Sequence, residues 1–431
     1  MNINFEILKK KIISKNFIVG IIGLGYVGLP LANRFIKKNI KVIGLEQDIN
    51  KVKKLKKGIS YINSPSLKKF NYFKKFKKNI SSDYKILKNC DVVMVCLPTP
   101  LKNKTPDMSF VYNCGRQIKK VVKPLQLIIL ESTVFPGATF EFYKKFKSQK
   151  FLIGKNIFLG YSPERENPGD KKFSYQSTPK IVSGYTNKCT ILTDFVYKHI
   201  VKKTVKAKNL KSAETSKLLE NLYRAVNIGL INELKIICNN LNIDVFEVIK
   251  LAATKNFGFQ KFMPGPGLGG HCIPIDPFYL SWISKKKGYD PKFIRLAGEL
   301  NSSMPNWVIK KMLANINERT PKILILGVSY KKNVDDDRES PSIEIMKLLT
   351  KNKIKFEYND PYFPQLRKGR NLKFTKKSVP INEKNLKKFN AVLVITDHDA
   401  YNYKFIYKNS KQVFDARGVY KNLGCEKVIY C

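Results

Sequence analysis

A single thiol closes a run in which proline and glycine alternate: Pro264-Gly265-Pro266-Gly267-Leu268-Gly269-Gly270-His271-Cys272, followed by Ile273-Pro274-Ile275-Asp276. Neither a regular helix nor a strand can pass through it, because glycine is too free and proline too constrained. Glycines also let a ligand approach the main chain. A helix starting near Cys272 would place Cys272 and Asp276 on one face, and its N-terminal dipole would favour the thiolate. That pattern suits a nucleophile with a carboxylate neighbour for acid/base work. The alternative is a tight turn around a buried structural cysteine.

A second pattern bears on the choice. The apolar run from Phe17 to Ile22 leads into Gly23-Leu24-Gly25-Tyr26-Val27-Gly28, and a helical pattern carrying Leu31, Phe35 and Ile36 follows. A further apolar run from Ile40 ends at Glu46, 18 residues past the last glycine. Strand, G-x-G-x-x-G, helix, strand and acid, in that order, make a dinucleotide fingerprint of Rossmann type. Gly23 and Gly25 allow the tight turn and the approach of a pyrophosphate to the helix N-terminus, and Gly28 lets helix pack on strand. Glu46 suits the adenosine ribose hydroxyls and repels a 2′-phosphate, so the expected cofactor is NAD rather than NADP.

The elements that must position these groups fill 431 residues, enough for two or three domains. Apolar runs are strand-sized, so no membrane span is expected, and the N-terminus lacks a signal-peptide core. A cytoplasmic location follows as the simplest expectation. The eight cysteines form no C-x-x-C pair and the three histidines do not cluster with them, so neither a metal site nor a disulfide framework is expected. The formal net charge of +47 invites a nucleic-acid reading. However, 70 of the 80 basic residues are Lys, spread along the chain beside abundant Asn and Ile. That distribution fits AT-rich codons better than phosphate recognition, which favours Arg, and no specific nucleic-acid partner is expected. The stretch from Lys68 to Lys78, with interleaved aromatics, reads as a solvated amphipathic helix.

Strand-like runs at Asp91–Leu97, Leu127–Leu130 and Ile157–Tyr161 alternate with helical patterns, the mark of a doubly wound parallel sheet. Ligand-facing loops should follow the strand ends, at Pro98-Thr99-Pro100, Glu131-Ser132-Thr133 and Ser162-Pro163-Glu164-Arg165. Ser212 to Leu241 reads as one uninterrupted helix with Lys217 and Asn221 on one face. From Pro321 a second α/β block begins, with strands at 322–327, 355–358, 391–395 and 412–415. Its first loop, from Ser329 through Lys331 and Arg338 to Ser342, has the basic and hydroxyl groups that suit a phosphate.

Taken in order, GLGYVGLPLA, ESTVFPGAT, YSPERENPGD, SKLLENLYRAVNIGLINEL, PGPGLGGHCIPIDP, NSSMP, GVSYKKNVDDDRESPS and FDARG resemble the UDP-glucose/UDP-N-acetylhexosamine 6-dehydrogenase family over nearly the whole chain. SPERENPGD and GPGLGGHCIPIDPFYLSW look most like the UDP-N-acetylglucosamine 6-dehydrogenase branch. The resemblance implies two Rossmann-like α/β domains joined by a helical central domain with one long helix. The expected boundaries are 1–205 for NAD binding, 206–305 for dimerisation and catalysis, and 306–431 for the UDP-sugar. It implies a four-electron oxidation of a sugar C6 alcohol to a carboxylate by two NAD⁺, serving surface polysaccharide synthesis in a homodimer.

By the same resemblance Cys272 captures the C6 aldehyde and Lys217 and Asn221 stabilise its oxyanion. Asp276, Glu164 and Thr133 handle water and protons. Tyr26, Val27, Pro98, Thr99 and Lys331 join the glycines, Glu46 and Thr133 at the cofactor. Glu164, Arg165, Lys217, Asn221, Arg224, Phe262, Gly269, Lys331, Arg338 and Arg417 face the UDP-sugar. UDP-glucose is the alternative substrate. Two other readings compete: a hydroxyacid dehydrogenase, which has no use for the thiol, and a non-catalytic nucleotide-sugar or nucleic-acid binding protein.

Overall fold

The computed structural model describes residues 3–62, 76–102, 105–165, 177–270, 273–366 and 374–431. Cys272, most of the lysine stretch at 68–78 and most of SPERENPGD lie outside the described residues. The chain divides into two compact units, residues 1–220 with 282–288, and residues 221–281 with 289–431.

The first unit is built on an eight-stranded sheet. Its spatial order is Thr204–Lys206, Lys180–Gly184, Ile157–Tyr161, Gln126–Leu130, Val92–Val95, Ile18–Ile22, Lys41–Leu45 and Ile80–Ser81. All neighbours are parallel except Ile157–Tyr161 and Lys180–Gly184, which run antiparallel. The inner strands are apolar and buried along their length, as strands covered by helices on both faces must be. The chain starts at Ile18–Ile22, winds outward to Ile80–Ser81 and returns to Val92–Val95 on the other side of its first strand. That reversal is the switch point at which doubly wound sheets bind ligands, beyond the carboxyl ends of the strands. The N-terminal helix Ile3–Ile13 turns Phe5, Leu8 and Ile12 inward against the helix Asn187–Lys198. The two short strands Lys180–Gly184 and Thr204–Lys206 extend the sheet beyond what the alternating pattern predicts.

The second unit carries a five-stranded, all-parallel sheet in the order Lys355–Asn359, Lys322–Leu326, Ala391–Val394, Val413–Asp415 and Val428–Tyr430. Ile323, Ile325, Ala391 and Leu393 enter one core, while Leu324, Leu326, Val392 and Val394 enter another on the opposite face. The switch point lies between Lys322–Leu326 and Ala391–Val394. The loops at 327–331, 395–399 and 416–418 therefore share one end of the sheet.

The helix Leu210–Asn240, 31 residues long, runs without a break. Within the first unit, Glu214 on this helix caps the helix Ala138–Lys144. Its carboxylate accepts the N–H groups of Gly137 at 2.5 Å and Thr139 at 2.9 Å, and the Thr139 hydroxyl at 2.6 Å. That cap fixes the far end of the loop carrying Thr133. Glu214→Ala should orphan these buried donors and lower stability by about 2–4 kcal/mol. The check is urea unfolding. A lower midpoint at unchanged slope is expected, and an unchanged midpoint would show the cap to be dispensable.

Candidate functional site

The glycine turn shows why each glycine is there. Gly23 has φ +86°, and a Cβ on it would stand 2.6 Å from the Cys96 carbonyl oxygen. A Cβ on Gly28 would stand 1.9 Å from the Gly23 carbonyl oxygen, so helix and turn can meet only without one. A Cβ on Gly25 would have no heavy atom within 4 Å. The middle glycine thus leaves an open cradle at the start of the helix Gly28–Lys37. The N-cap residue of that helix, Val27, makes no side-chain capping bond. This is the arrangement a pyrophosphate requires. Tyr26 is exposed beside it.

Glu46 is wired to the same turn: its carboxylate accepts the N–H of Leu24 and that of Asp48, each at 3.1 Å. The Tyr61 hydroxyl donates to the Leu24 carbonyl at 2.5 Å. A half-buried carboxylate held by backbone donors at the end of the second strand suits a ribose diol. The residues present therefore fit NAD, for which the turn would hold the pyrophosphate and Glu46 the adenosine ribose. Across the switch point, the Thr99 hydroxyl donates to the Thr133 carbonyl at 2.8 Å, and Ser132 Oγ to the Leu97 carbonyl at 2.7 Å. These bonds hold together the loops carrying Pro98, Thr99 and Thr133.

One strand further out, Glu164 follows Ile157–Tyr161. Its Oε1 accepts the Arg165 N–H at 2.9 Å, and its Oε2 lies 3.6 Å from the Lys180 ammonium. Arg165 is held by Glu220 at 2.8 Å and by the Pro179 carbonyl at 2.6 Å. Lys180 also pairs with Glu131 at 2.9 Å, and both side chains are buried. Sequence reasoning picked out neither Lys180 nor Glu131 as an individual residue. One Lys among 70 carries no local signal, and burial is a property of the fold.

On the long helix, Lys217 and Asn221 are one turn apart and both only 8% exposed, which sets them apart from ordinary surface polarity. Asn221 donates its side-chain amide to the Asp276 carboxylate, itself 3% exposed. The helix carrying Asp276 spans Asp276–Lys286 and so begins at Asp276, not near Cys272 as expected. Pro274 disfavours helical backbone at the residue before it, while Pro277 is tolerated in a first turn. Residues 273–275 form a turn, and Cys272, the other half of the expected helical face, lies outside the described residues.

The glycine run before Cys272 is anchored within the second unit. Gly265 N–H donates to the Asn232 side chain, Asn232 to Asn301, and Asn301 to the Ala225 carbonyl, each at 2.9 Å. Gly270, at φ +91°, donates its N–H to the Arg338 carbonyl at 2.9 Å. A Cβ on Gly269 or Gly270 would stand 2.7–2.8 Å from Tyr330. The run is thus shaped by contact with the 330–341 segment. Arg338 forks onto Asp336, and Lys331 is partly buried in the same loop. Arg417 donates Nε–H to the Ile395 carbonyl at 2.8 Å, and burial pulls its guanidinium below the usual range. Asp415 accepts the N–H groups of Arg417 and Gly418, each at 2.8 Å, and so sets that turn. Phe262 packs edge-on against Tyr223, and Arg224 is exposed on the long helix, apart from the buried Asn221–Asp276 pair.

A cavity of about 1050 Å³ in the first unit is lined by Phe135, Tyr185, Lys206, Leu210 and Ile283 among others, and by none of the candidate cofactor, substrate or catalytic residues. Among the described residues no group of three His, Cys, Asp or Glu could hold a metal ion, and no helix is long and apolar enough to cross a membrane.

Compared with known proteins, the chain matches the UDP-glucose/GDP-mannose dehydrogenase family along three segments. They are its NAD binding domain over residues 17–201, its central domain over 211–303 and its UDP binding domain over 324–422. It is 36% identical to a UDP-N-acetyl-D-glucosamine 6-dehydrogenase of Pseudomonas aeruginosa, over 81% of this chain and 83% of that protein. It is 33% identical to a UDP-N-acetyl-D-mannosamine dehydrogenase of Methanococcus maripaludis, over 88% of this chain and 86% of that one. The solved UDP-D-ManNAc dehydrogenase of Pyrococcus horikoshii superposes with a TM-score of 0.84 at 29% identity, covering 96% of this chain and 98% of that one. A glycine cradle fit for NAD, two doubly wound sheets, one long central helix and three consecutive domain matches place the chain in the UDP-glucose/GDP-mannose dehydrogenase family, as an NAD-dependent oxidoreductase.

Proposed function

We propose that this protein oxidises the C6 alcohol of a UDP-N-acetylhexosamine, UDP-GlcNAc, to the uronic acid, consuming two NAD⁺ and one water. The observation that carries the reading is the buried Asn221–Asp276 pair, with Asn221 one helical turn from Lys217 and Asp276 four residues past Cys272. Burying an ammonium, an amide and a carboxylate is costly unless each has work or a partner. NAD⁺ accepts a hydride at each of two steps. Cys272 adds as thiolate to the C6 aldehyde, forming a C–S bond and an oxyanion that Lys217 and Asn221 stabilise. Loss of the second hydride leaves a thioester. Water cleaves it, with Asp276, Glu164 and Thr133 managing the protons, and the thiol is released.

The choice of an N-acetylhexosamine over glucose rests on the SPERENPGD and GPGLGGHCIPIDPFYLSW motifs, and that of N-acetylglucosamine over mannosamine on the Pseudomonas relative. Lys331, Arg338 and Arg417 are assigned to the UDP-sugar, as are Arg165, Arg224, Phe262 and Gly269. The division of labour is 1–205 for NAD, 206–305 for catalysis and dimerisation, and 306–431 for the UDP-sugar, in a cytoplasmic enzyme feeding surface polysaccharide. On the long helix, Tyr223, Leu230 and Ile237 recur every seven residues, with Leu241 just past its end, all 48–62% exposed. That stripe supports a homodimer made by a second copy of the helix.

Three outcomes follow. Across UDP-GlcNAc, UDP-ManNAc, UDP-GalNAc and UDP-glucose, kcat/KM should be highest for UDP-GlcNAc, with two NADH per sugar and no free aldehyde. One NADH per sugar with accumulating aldehyde would sink the four-electron reading, and a higher kcat/KM for another sugar would reassign the substrate. Leu230→Glu should halve the mass seen by light scattering, and an unchanged dimer would place the interface elsewhere. Cys272→Ala should fold and bind NAD⁺ while turnover falls by at least about 10³-fold. Cys272→Ser should accumulate a sugar ester, seen as a mass increase on the intact protein. Near-normal turnover in the alanine variant would return Cys272 to a structural role.

A further inference from the structure

The antiparallel strand of the first unit delivers a cation to the wrong end of its own strand and the right end of the sheet. Ile157–Tyr161 pairs with Lys180–Gly184 through Gly160↔Gly184 and Tyr161↔Ser183. The same offset sets Glu164 opposite Lys180. Leu130 pairs with Tyr161 on the next strand, so Glu131 emerges beside them. Three neighbouring strands thereby bring two carboxylates and one ammonium to a single point at the ligand-facing edge.

The sharing is unequal. The Lys180 side chain is 2% exposed, and its Nζ lies 2.9 Å from Glu131 Oε2 and 3.6 Å from Glu164 Oε2. Glu131 is fully buried and also accepts the Tyr197 hydroxyl; the Lys180 ammonium sits 5.2 Å from the centre of the Tyr197 ring. Glu164 is the most exposed of the three, at 15%. We propose that Lys180 is a positioning residue whose ammonium, divided between Glu131 and Glu164, sets the orientation and the charge that Glu164 presents to the substrate. This rests on the reading of Glu164 as a group that handles water and protons.

Among the described residues, Lys180, Glu131 and Cys96 are titratable neighbours of Glu164. Burial holds the Cys96 thiol well above its usual range, so it stays neutral at working pH. The Arg165 guanidinium is taken up by Glu220 and the Pro179 carbonyl. Burial pushes the Glu131 carboxyl up, Lys180 pulls it down, and Glu164 pushes it up again. With Glu131 ionised, its negative charge offsets much of the field that Lys180 exerts on Glu164. Neutralising Glu131 without changing its shape frees the ammonium for Glu164, and the pKa of Glu164 should fall.

The test is the pH profile of kcat at saturating NAD⁺ and UDP-sugar in the full-length enzyme. Glu164→Gln should lose at least about 100-fold in kcat. Glu131→Gln should move the acid limb down by about one pH unit or more, as expected when an opposite charge within about 4 Å is no longer shared. Glu131→Gln with Lys180→Met buries no charge. It guards against a single variant that folds poorly, and its limb should lie above that of Glu131→Gln. If Glu164→Gln is inactive but both other limbs stay at the wild-type position, Lys180 is a structural ion-pair partner and this proposal fails alone. If Glu164→Gln turns over normally, the reading of Glu164 fails and the proposal falls with it.

Discussion

The cofactor turn and the glycine run depend on backbone passing where no side chain of its own would fit. At the cofactor turn, the helix can start against its own approaching strand only because Gly28 has no Cβ to strike the Gly23 carbonyl. In the second unit, Gly269 and Gly270 lie against Tyr330, and Gly267 lies against the helix Lys292–Ala314 near Asn301 and Pro305. Pro305 has no N–H to offer the Asn301 carbonyl, so that turn of helix is open to a neighbour. These are steric conditions that apply to every atom of a substituted residue. They make the positions of the turn and of the glycine run far less tolerant than their exposure suggests.

Such conditions are also what a sequence displays best. The G-x-G-x-x-G turn, the apolar runs of the inner strands and the unbroken helical period from Leu210 to Asn240 were legible because glycine and periodicity are local signals. Boundaries moved by one or two residues, as fraying ends do. The helix after the glycine run moved further. Its start at Asp276 is set by Pro274, which disfavours helix before it, and Pro277, which a first turn accepts. The strands Lys180–Gly184 and Thr204–Lys206 were missed because their alternation is weak. Lys180, Thr204 and Lys206 are polar; Thr204 is half-buried and Lys206 exposed, and the burial of Lys180 comes from partners far away in sequence.

The lysines make the same point about charge. Composition alone presents 70 of them with nothing to tell one from another. In the structure, only Lys180, Lys217 and Lys235 fall among the buried side chains of the described residues. Each is held away from bulk water. For Lys235, beside Trp307 and the Cys431 carbonyl, burial pulls the ammonium down to about 8. Codon bias can supply lysines to a surface at little energetic cost, but it cannot supply partners to a buried one. Burial therefore separates the lysines that the fold uses from those that it merely carries.

That separation clarifies how the two sheets are put to different uses. In the first unit the strand ends present acids: Glu46 wired to two N–H groups, and Glu131 and Glu164 sharing one ammonium. In the second they present guanidinium groups set by acids: Arg338 by Asp336, and the turn carrying Arg417 by Asp415. The two sheets share one topological rule, with ligand loops beyond the carboxyl ends of parallel strands. The glycine turn of the first fits a pyrophosphate with backbone N–H groups, and Glu46 a ribose diol, while the loops of the second offer Arg338 and Arg417. One architecture is thus used twice, and the loops alone set what each copy can hold.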